Sequence, residues 1–418
     1  MVINITKIRE KCTKGKLIFS ICIAVFLVIA DYWVQNSTFP LFDDVSLLAW
    51  VDQFKESNKK YFNEDDVTYI NLGKDKALVP VYNEWGDKVG NSVITDREVL
   101  LRFLLLAEKS KYKYIFIDVR FEKGYDTPFD SALFNQIKQM PNVVIATHRA
   151  VNGYEIADST LLPKTAFADY RGTVFSSFSR YEFIQEGQSS VALRMLNDLD
   201  SIGIKKHWYG YTVDNRSWKL CYNLGFIPLP SYLYESKDTI MMENTESCEI
   251  RYPYLGSFFF SNPMFSEDEI IRNKLDNKII VLGDFDNDKH TTYIGEVPGS
   301  VISLAAYKYL QNGKHEVSGL YVLILLVFYW LIAIIMLTVE EVGNLFKDGS
   351  FGQFVLTLLG LGFVFFVSKI LCYMIASISM VVTIPTVVFQ LIGYRDTFRR
   401  FGQFVARLFK KKRLEELN

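Results

Sequence analysis

"TDREVLLRFLLLAEKSKYKYIFIDV", Thr95 to Val119, sets an apolar helix directly before a buried strand. Thr95 with Glu98 three residues later has the form of a capping box, which satisfies the first free N–H groups of a helix. The run Tyr112–Val119 then reads as a strand ending on Asp118. Working outward, "VTYINL" (Val67–Leu72) reads as a strand, "DSALFNQIKQM" as a helix from Asp130, and "NVVIAT" (Asn142–Thr147) as the next strand. A β-α-β-α-β order implies an α/β domain with a largely parallel sheet and helices on its faces.

The pattern continues less evenly. "SSVALRMLNDLD" (Ser189–Asp200) is helical in spacing, whereas the aromatic stretch His207–Tyr234 has no clear period and reads as core or edge packing. "SEDEIIRNKLD" carries a second capping box in Ser266 and Glu269. It leads into the strand "KIIVLG", and "GSVISLAAYKYLQNG" forms a last helix ending at Gly313.

Apolar runs flank this region. Leu17–Ala30 is uncharged and follows Lys7, Arg9, Lys11, Lys14 and Lys16, as in a signal peptide. Tyr32, Trp33 and Val34 extend it with an interfacial aromatic anchor, which favours a retained span. Gly319–Val339 offers 21 residues without a charge, enough to cross the hydrocarbon. The tract Phe351–Tyr394 would be ~66 Å long as one helix, about twice the bilayer core, so it reads as a hairpin of two spans. Its only charge, Lys369, belongs near the hairpin turn, where an ammonium can reach water.

Loop charges give the same count. Arg395, Arg399, Arg400, Arg407, Lys410, Lys411, Lys412 and Arg413 follow the last span, so both ends are expected in the cytoplasm. Four transmembrane helices satisfy that. The expected organisation is a basic start and anchor over 1–34, an exported α/β domain over 35–318, three membrane helices over 319–394 and a basic tail over 395–418. Phe401, Phe404, Val405, Leu408 and Phe409 recur at helical spacing in the tail, as in a helix lying on an anionic inner leaflet. The pentapeptide "FGQFV", at 351–355 and 401–405, has unrelated flanks and is read as coincidence.

The formal net charge of −1 argues against nucleic-acid binding. Of the 5 cysteines only Cys221 and Cys248 fall in the exported part, which allows one optional bridge. No C-x-x-C, G-x-x-x-x-G-K, G-x-S-x-G or H-E-x-x-H is present, so neither a cofactor nor an enzymatic activity is expected.

"TDRE", "YKYIFIDVRF", "FDSALFNQI", "NVVIATHR", "IIVLGDF", "DKHTT", "GEVPG" and "AAYKYLQNG", in this order, resemble the second type of CHASE domain, a sensory extracellular domain of bacterial cyclases and histidine kinases. The resemblance implies an N-terminal span, an exported α/β sensor and three closely spaced spans. Such receptors usually continue into a catalytic output domain, whereas this chain runs only 24 residues past Tyr394. Signalling through a separate partner is therefore expected.

"IIVLGDFDNDKHTTYIGEVPG" (Ile279–Gly299) crowds Asp284, Asp286, Asp288 and His290 into seven residues of a chain with 4 His. A calcium loop would fit the three aspartates but needs glycine where Lys289 stands and a bidentate glutamate where Gly295 stands. Catalysis would need a nucleophile beside His290, and Thr291 and Thr292 are its hydroxyl neighbours. A binding cleft draws on chain direction, because parallel sheets bind ligands outside the carboxyl ends of their strands. Asn71, Asp118 and Asp284 fall at such ends, with Asp288 and His290 on the loop beyond. Capping of turns and helices by the same residues is the competing reading. Together these features predict a membrane-anchored sensor in a bacterial cytoplasmic membrane, with a structural or assembly role as the alternative and an exported hydrolase third.

Overall fold

The computed structural model describes residues 14–36, 66–83, 85–150, 153–154, 158–172, 178–214, 216–225, 274–292 and 295–338, together with 227, 229, 254–256 and 270. In chain order the elements that matter here are α1 (Lys14–Gln35), β1 (Val67–Asn71), β2 (Lys76–Tyr82), β3 (Lys88–Thr95), α2 (Arg97–Glu108), β4 (Tyr114–Ile117), α3 (Asp130–Gln139), β5 (Val143–Thr147) and β6 (Thr165–Phe167). They continue as α4 (Val191–Asp200), β7 (Ile204–His207), β8 (Gly210–Val213), β9 (Arg216–Cys221), β10 (Ile279–Gly283), β11 (Lys289–Thr292), β12 (Gly295–Pro298), α5 (Gly299–Gln311) and α6 (Gly319–Thr338).

The described residues separate into two compact units, one within Val45–Glu316 and one holding α1 and α6. The larger unit is built on a five-stranded sheet in the order β1-β10-β4-β5-β6, with every neighbouring pair parallel. β4, β5 and β10 are buried at every position. Their unbroken apolar sequences follow from coverage on both faces, which leaves no solvent side for alternation. Ile115, Ile117, Ile280 and Leu282 pack with α2 and α3, while Tyr114, Phe116, Ile279 and Val281 pack with α4 and α5. Each such buried Ile or Leu contributes roughly 1.5–3 kcal/mol.

Handedness explains the sorting of helices. The chain steps from β1 to β4 to β5 in one direction and returns from β6 to β10 in the other. Because parallel crossovers are right-handed, steps in opposite directions put their helices on opposite faces. α4, in the return from β6 to β10, thus lies on one face, whereas α2 and α3, in the crossovers from β1 to β4 and β4 to β5, lie on the other; α5, which follows β10, packs on the face of α4. The connections diverge at the carboxyl ends of β10 and β4, the switch point at which open parallel sheets commonly take ligands.

Some local expectations need correction. The N-cap of α2 is Asp96, whose carboxylate accepts from the N–H groups of Glu98 and Val99, and not Thr95. Thr95 is instead the last residue of β3, paired with Lys76 in the β2–β3 hairpin. Part of the aromatic stretch without a period is the antiparallel meander β7-β8-β9. The polar loop after β10 folds back as the hairpin β11–β12. Ser266 and Glu269 lie outside the described residues.

Among the described residues one helix, over Lys14–Trp33, is long and apolar enough to cross a membrane, and the apolar helix over Gly319–Leu331 is shorter. Ala24 of α1 packs with Tyr321, Leu325 and Tyr329 of α6. Ile18, Phe26 and Ile29 of α1 and Leu320, Leu323, Val327 and Leu331 of α6 are exposed on their other sides. Helices apolar all round are compatible with lipid or a large core. The expected hairpin over 351–394, Lys369, the inner loop 340–352, the tail 395–418, Cys12, Cys248 and Cys372 lie outside the described residues.

Candidate functional site

Five strands end along one edge of the sheet, and each delivers a polar residue there: Asn71 after β1, Asp284 after β10, Asp118 after β4, His148 after β5, and Asp169 with Tyr170 after β6. They divide into two groups with different partners.

At β1 and β10 the polar groups close turns. The Asn71 side-chain oxygen accepts from the N–H of Gly73 at 2.9 Å and of Phe285 at 3.1 Å. Asp284 accepts from Lys76 Nζ at 2.7 Å and from the N–H of Asp286 at 3.2 Å and of Asn287 at 2.9 Å. Burial alone would raise the Asp284 pKa, but the bonds from Lys76 and Asn287 hold it below the usual carboxylate range. Asp286 accepts from the Tyr254 hydroxyl at 2.6 Å. Asp284, Asp286 and Asp288 therefore face different partners, and among the described residues no group of three or more His, Cys, Asp or Glu could hold a metal ion.

Around β4, β5 and β6 the polar groups face one another. Asp118 is held by its backbone, whose N–H donates to the Leu282 carbonyl at 2.7 Å. Its side chain makes no hydrogen bond among the described residues, although protein crowds around it and leaves it only partly open to solvent. Burial, then the nearby Asp288 charge, pushes its pKa up to about 7, with His148, His290 and Arg120 opposing. His148 Nδ1 lies 2.8 Å from the Asp169 carboxylate, which orients the ring and raises the pKa of the imidazole against the opposing effect of burial. Nε2 has no hydrogen bond among the described residues.

His290 sits between two partners. Its Nε2 lies 3.2 Å from Asp288, and its Nδ1 meets the Tyr170 hydroxyl. Because a carboxylate only accepts, the consistent tautomer donates Nε2–H to Asp288 and accepts the Tyr170 proton at Nδ1. The two rings meet edge to face with centroids 4.8 Å apart. Burial, then the Asp288 and Asp169 charges, pushes the Tyr170 pKa up to about 12, so its hydroxyl stays a donor at neutral pH.

Two glycines let these parts approach. A Cβ on Gly299 would stand 2.9 Å from His290 Nε2 and 3.0 Å from Asp288 Oδ2, so any larger residue where α5 starts would displace these two side chains. A Cβ on Gly283 would meet Ser300 Oγ at 2.8 Å and Asp118 Cβ at 3.5 Å. Ser300, in the first turn of α5, and Asp118 thereby both lie against Gly283.

Of the residues singled out by sequence, Asp118, Asp288 and His290 come together, whereas Asn71 and Asp284 serve the neighbouring turns. His148, Asp169, Tyr170 and Ser300 join the cluster without having been singled out. His148 directly follows the strand "NVVIAT" and satisfies the strand-end rule that selected Asp118. Asp169 and Tyr170 follow a strand of three residues, too short to show a period. No family model, curated protein or solved structure matches the chain.

Proposed function

We propose that the chain is a membrane-anchored receptor that binds a small polar ligand at the carboxyl edge of its sheet and signals through a separate protein partner. The observation that carries the reading is Asp118, a carboxyl at the carboxyl ends of the neighbouring strands β10 and β4, whose side chain has no hydrogen bond among the described residues and has two imidazoles close by. A ligand donating to Asp118 and accepting from His148 Nε2 would complete both groups. The apolar surfaces of α1 and α6 support anchoring. The basic residues after Tyr394 and the apolar runs of the sequence favour four spans, both termini in the cytoplasm and residues 35–318 exported from a bacterial cytoplasmic membrane. The resemblance to the second type of CHASE domain points the same way.

A hydrolase using His290 is less well supported, because both of its ring nitrogens are already engaged. The test is thermal unfolding of the full chain in detergent with a panel of small carboxylates, amines and sugars, beside Asp118→Ala and His148→Ala. At least one compound is expected to raise the parent's midpoint and leave both variants unmoved. Equal shifts in parent and variants, or none in any, would count against the cleft and favour an assembly role.

A further inference from the structure

The meander β7-β8-β9 presents a surface unlike the rest of the domain. Trp208 is 88% exposed and Trp218 is 78% exposed. Tryptophan is among the most buried side chains on average, so two this open in one small sheet call for an occupant. Pairing places them. Lys205 is opposite Thr212, and Thr212 is opposite Leu220, so alternation puts Lys205, His207 and Trp218 on one face. Ile204, Val213 and Cys221 occupy the other face, which is buried in the core. Trp208 and Tyr209 form the turn between β7 and β8, with Tyr209 stacked on His207 at 5.0 Å.

Charge narrows the occupant. Residues 204–221 carry Lys205, Lys206, Arg216 and Lys219 against the single acid Asp214, which pairs with the exposed Lys205 at 2.9 Å. Solvent-facing tryptophan and tyrosine interleaved with lysine match the interfacial zone of a bilayer, where amphipathic rings sit at the headgroups and ammonium groups meet lipid phosphates.

Chain continuity supplies the second argument. Cys221 forms an antiparallel bridge with Glu316, and Glu316 also pairs with Arg216 at 2.9 Å and Lys219 at 3.4 Å. Tyr211 is opposite Cys221, so the Trp208–Tyr209 turn lies at the end of the meander that is clamped to Glu316. The apolar helix α6 opens at Gly319, and three residues of extended chain reach at most ~10 Å. The clamped end of the meander is thus tied by a short tether to the start of that helix.

We infer that the meander docks on the surface of an anionic bilayer, with Trp208, Tyr209 and Trp218 at headgroup depth and Lys205, on the same face as Trp218, beside lipid phosphates. This rests on the reading that α6 enters the membrane.

Brominated lipids test it, because bromine quenches tryptophan at contact. The full chain with Trp33→Phe is reconstituted in phosphatidylglycerol nanodiscs carrying bromines either near the headgroup or deep in the acyl chain. Shallow bromines are expected to quench the parent and to lose most of that effect on the W208F/W218F chain. Lys205→Glu should reduce the shallow quenching by about twofold, and less so at high salt. Deep bromines should quench Trp330 in every variant. Shallow quenching that is unchanged in W208F/W218F would overturn the docking while leaving the anchor intact. Protection of Trp208 and Trp218 from a water-soluble quencher even in detergent would also overturn it, in favour of a protein partner or a second copy. Failure of deep bromines to quench Trp330 would instead overturn the anchor on which the inference depends.

Discussion

The two halves of the sheet's carboxyl edge use the same residue types to opposite ends. At β1 and β10, Asn71 and Asp284 accept from backbone N–H groups within a few residues and from Lys76, so their hydrogen-bonding capacity goes to turns. At β4, β5 and β6 the facing groups are other titratable side chains, and Asp118 and His148 Nε2 keep capacity that those neighbours leave unused. A polar residue after a buried strand is therefore ambiguous. The loops packed beside it decide whether it caps a turn or faces a cleft.

The contrast would be broken most clearly by substitutions on the turn side that proved harmless. Asn71→Ala leaves the buried N–H of Phe285 without its acceptor, so a loss of about 2 kcal/mol is expected in chemical denaturation of the full chain. A loss below ~0.5 kcal/mol would mean that Asn71 is free to serve the cleft.

Asp118→Asn should change the pH dependence more than the fold. An unfolded aspartate titrates near pH 3.9, whereas the folded Asp118 titrates at about 7. Between about pH 4 and pH 7 the native state keeps a proton that the unfolded chain has released, so this group makes stability fall as pH rises. Asp118→Asn removes that slope and should raise the midpoint at pH 8 relative to the parent, by less at pH 5 and with little change at pH 4 or below. The same slope in both chains would mean that Asp118 titrates normally and that the cleft floor is wetter than its surroundings imply.

Asp284→Ala should cost about 1 kcal/mol at pH 7 through loss of the turn bonds and of Lys76. Because its folded pKa is depressed, the contribution is present above the unfolded pKa and should vanish as the parent is acidified through the folded one. On the cleft side the effects are smaller. His148→Gln should cost about 0.5 kcal/mol at pH 6, since the pair is partly exposed, and less at pH 8, because the raised imidazole pKa gives stability that is lost as pH rises through it. Asp288→Ala and His290→Ala should move the midpoint by less than ~0.5 kcal/mol while abolishing any ligand response. A larger loss with the response retained would place Asp288 and His290 with Asn71 and Asp284.

Runs of residues that interact with their own neighbours were legible in the sequence. The helices at Arg97–Glu108, Asp130–Gln139 and Val191–Asp200, the strands at Val67–Asn71, Tyr114–Ile117 and Val143–Thr147, and the α/β class follow from period and from burial on both faces. Asp118, Asp288 and His290 were legible as candidates because strand ends and polar clusters are local features. Only the tertiary structure decided that β10, nearly last in the chain, enters the sheet between β1 and β4. That insertion sets Asp284 beside Lys76, more than 200 residues away, and brings Asp288 and His290 to Asp118 and Tyr170. Spacing along the chain reports forces that act within a turn or two. Which polar groups meet depends on strand order and on glycines such as Gly283 and Gly299 that permit close approach, and both are properties of contacts between distant segments.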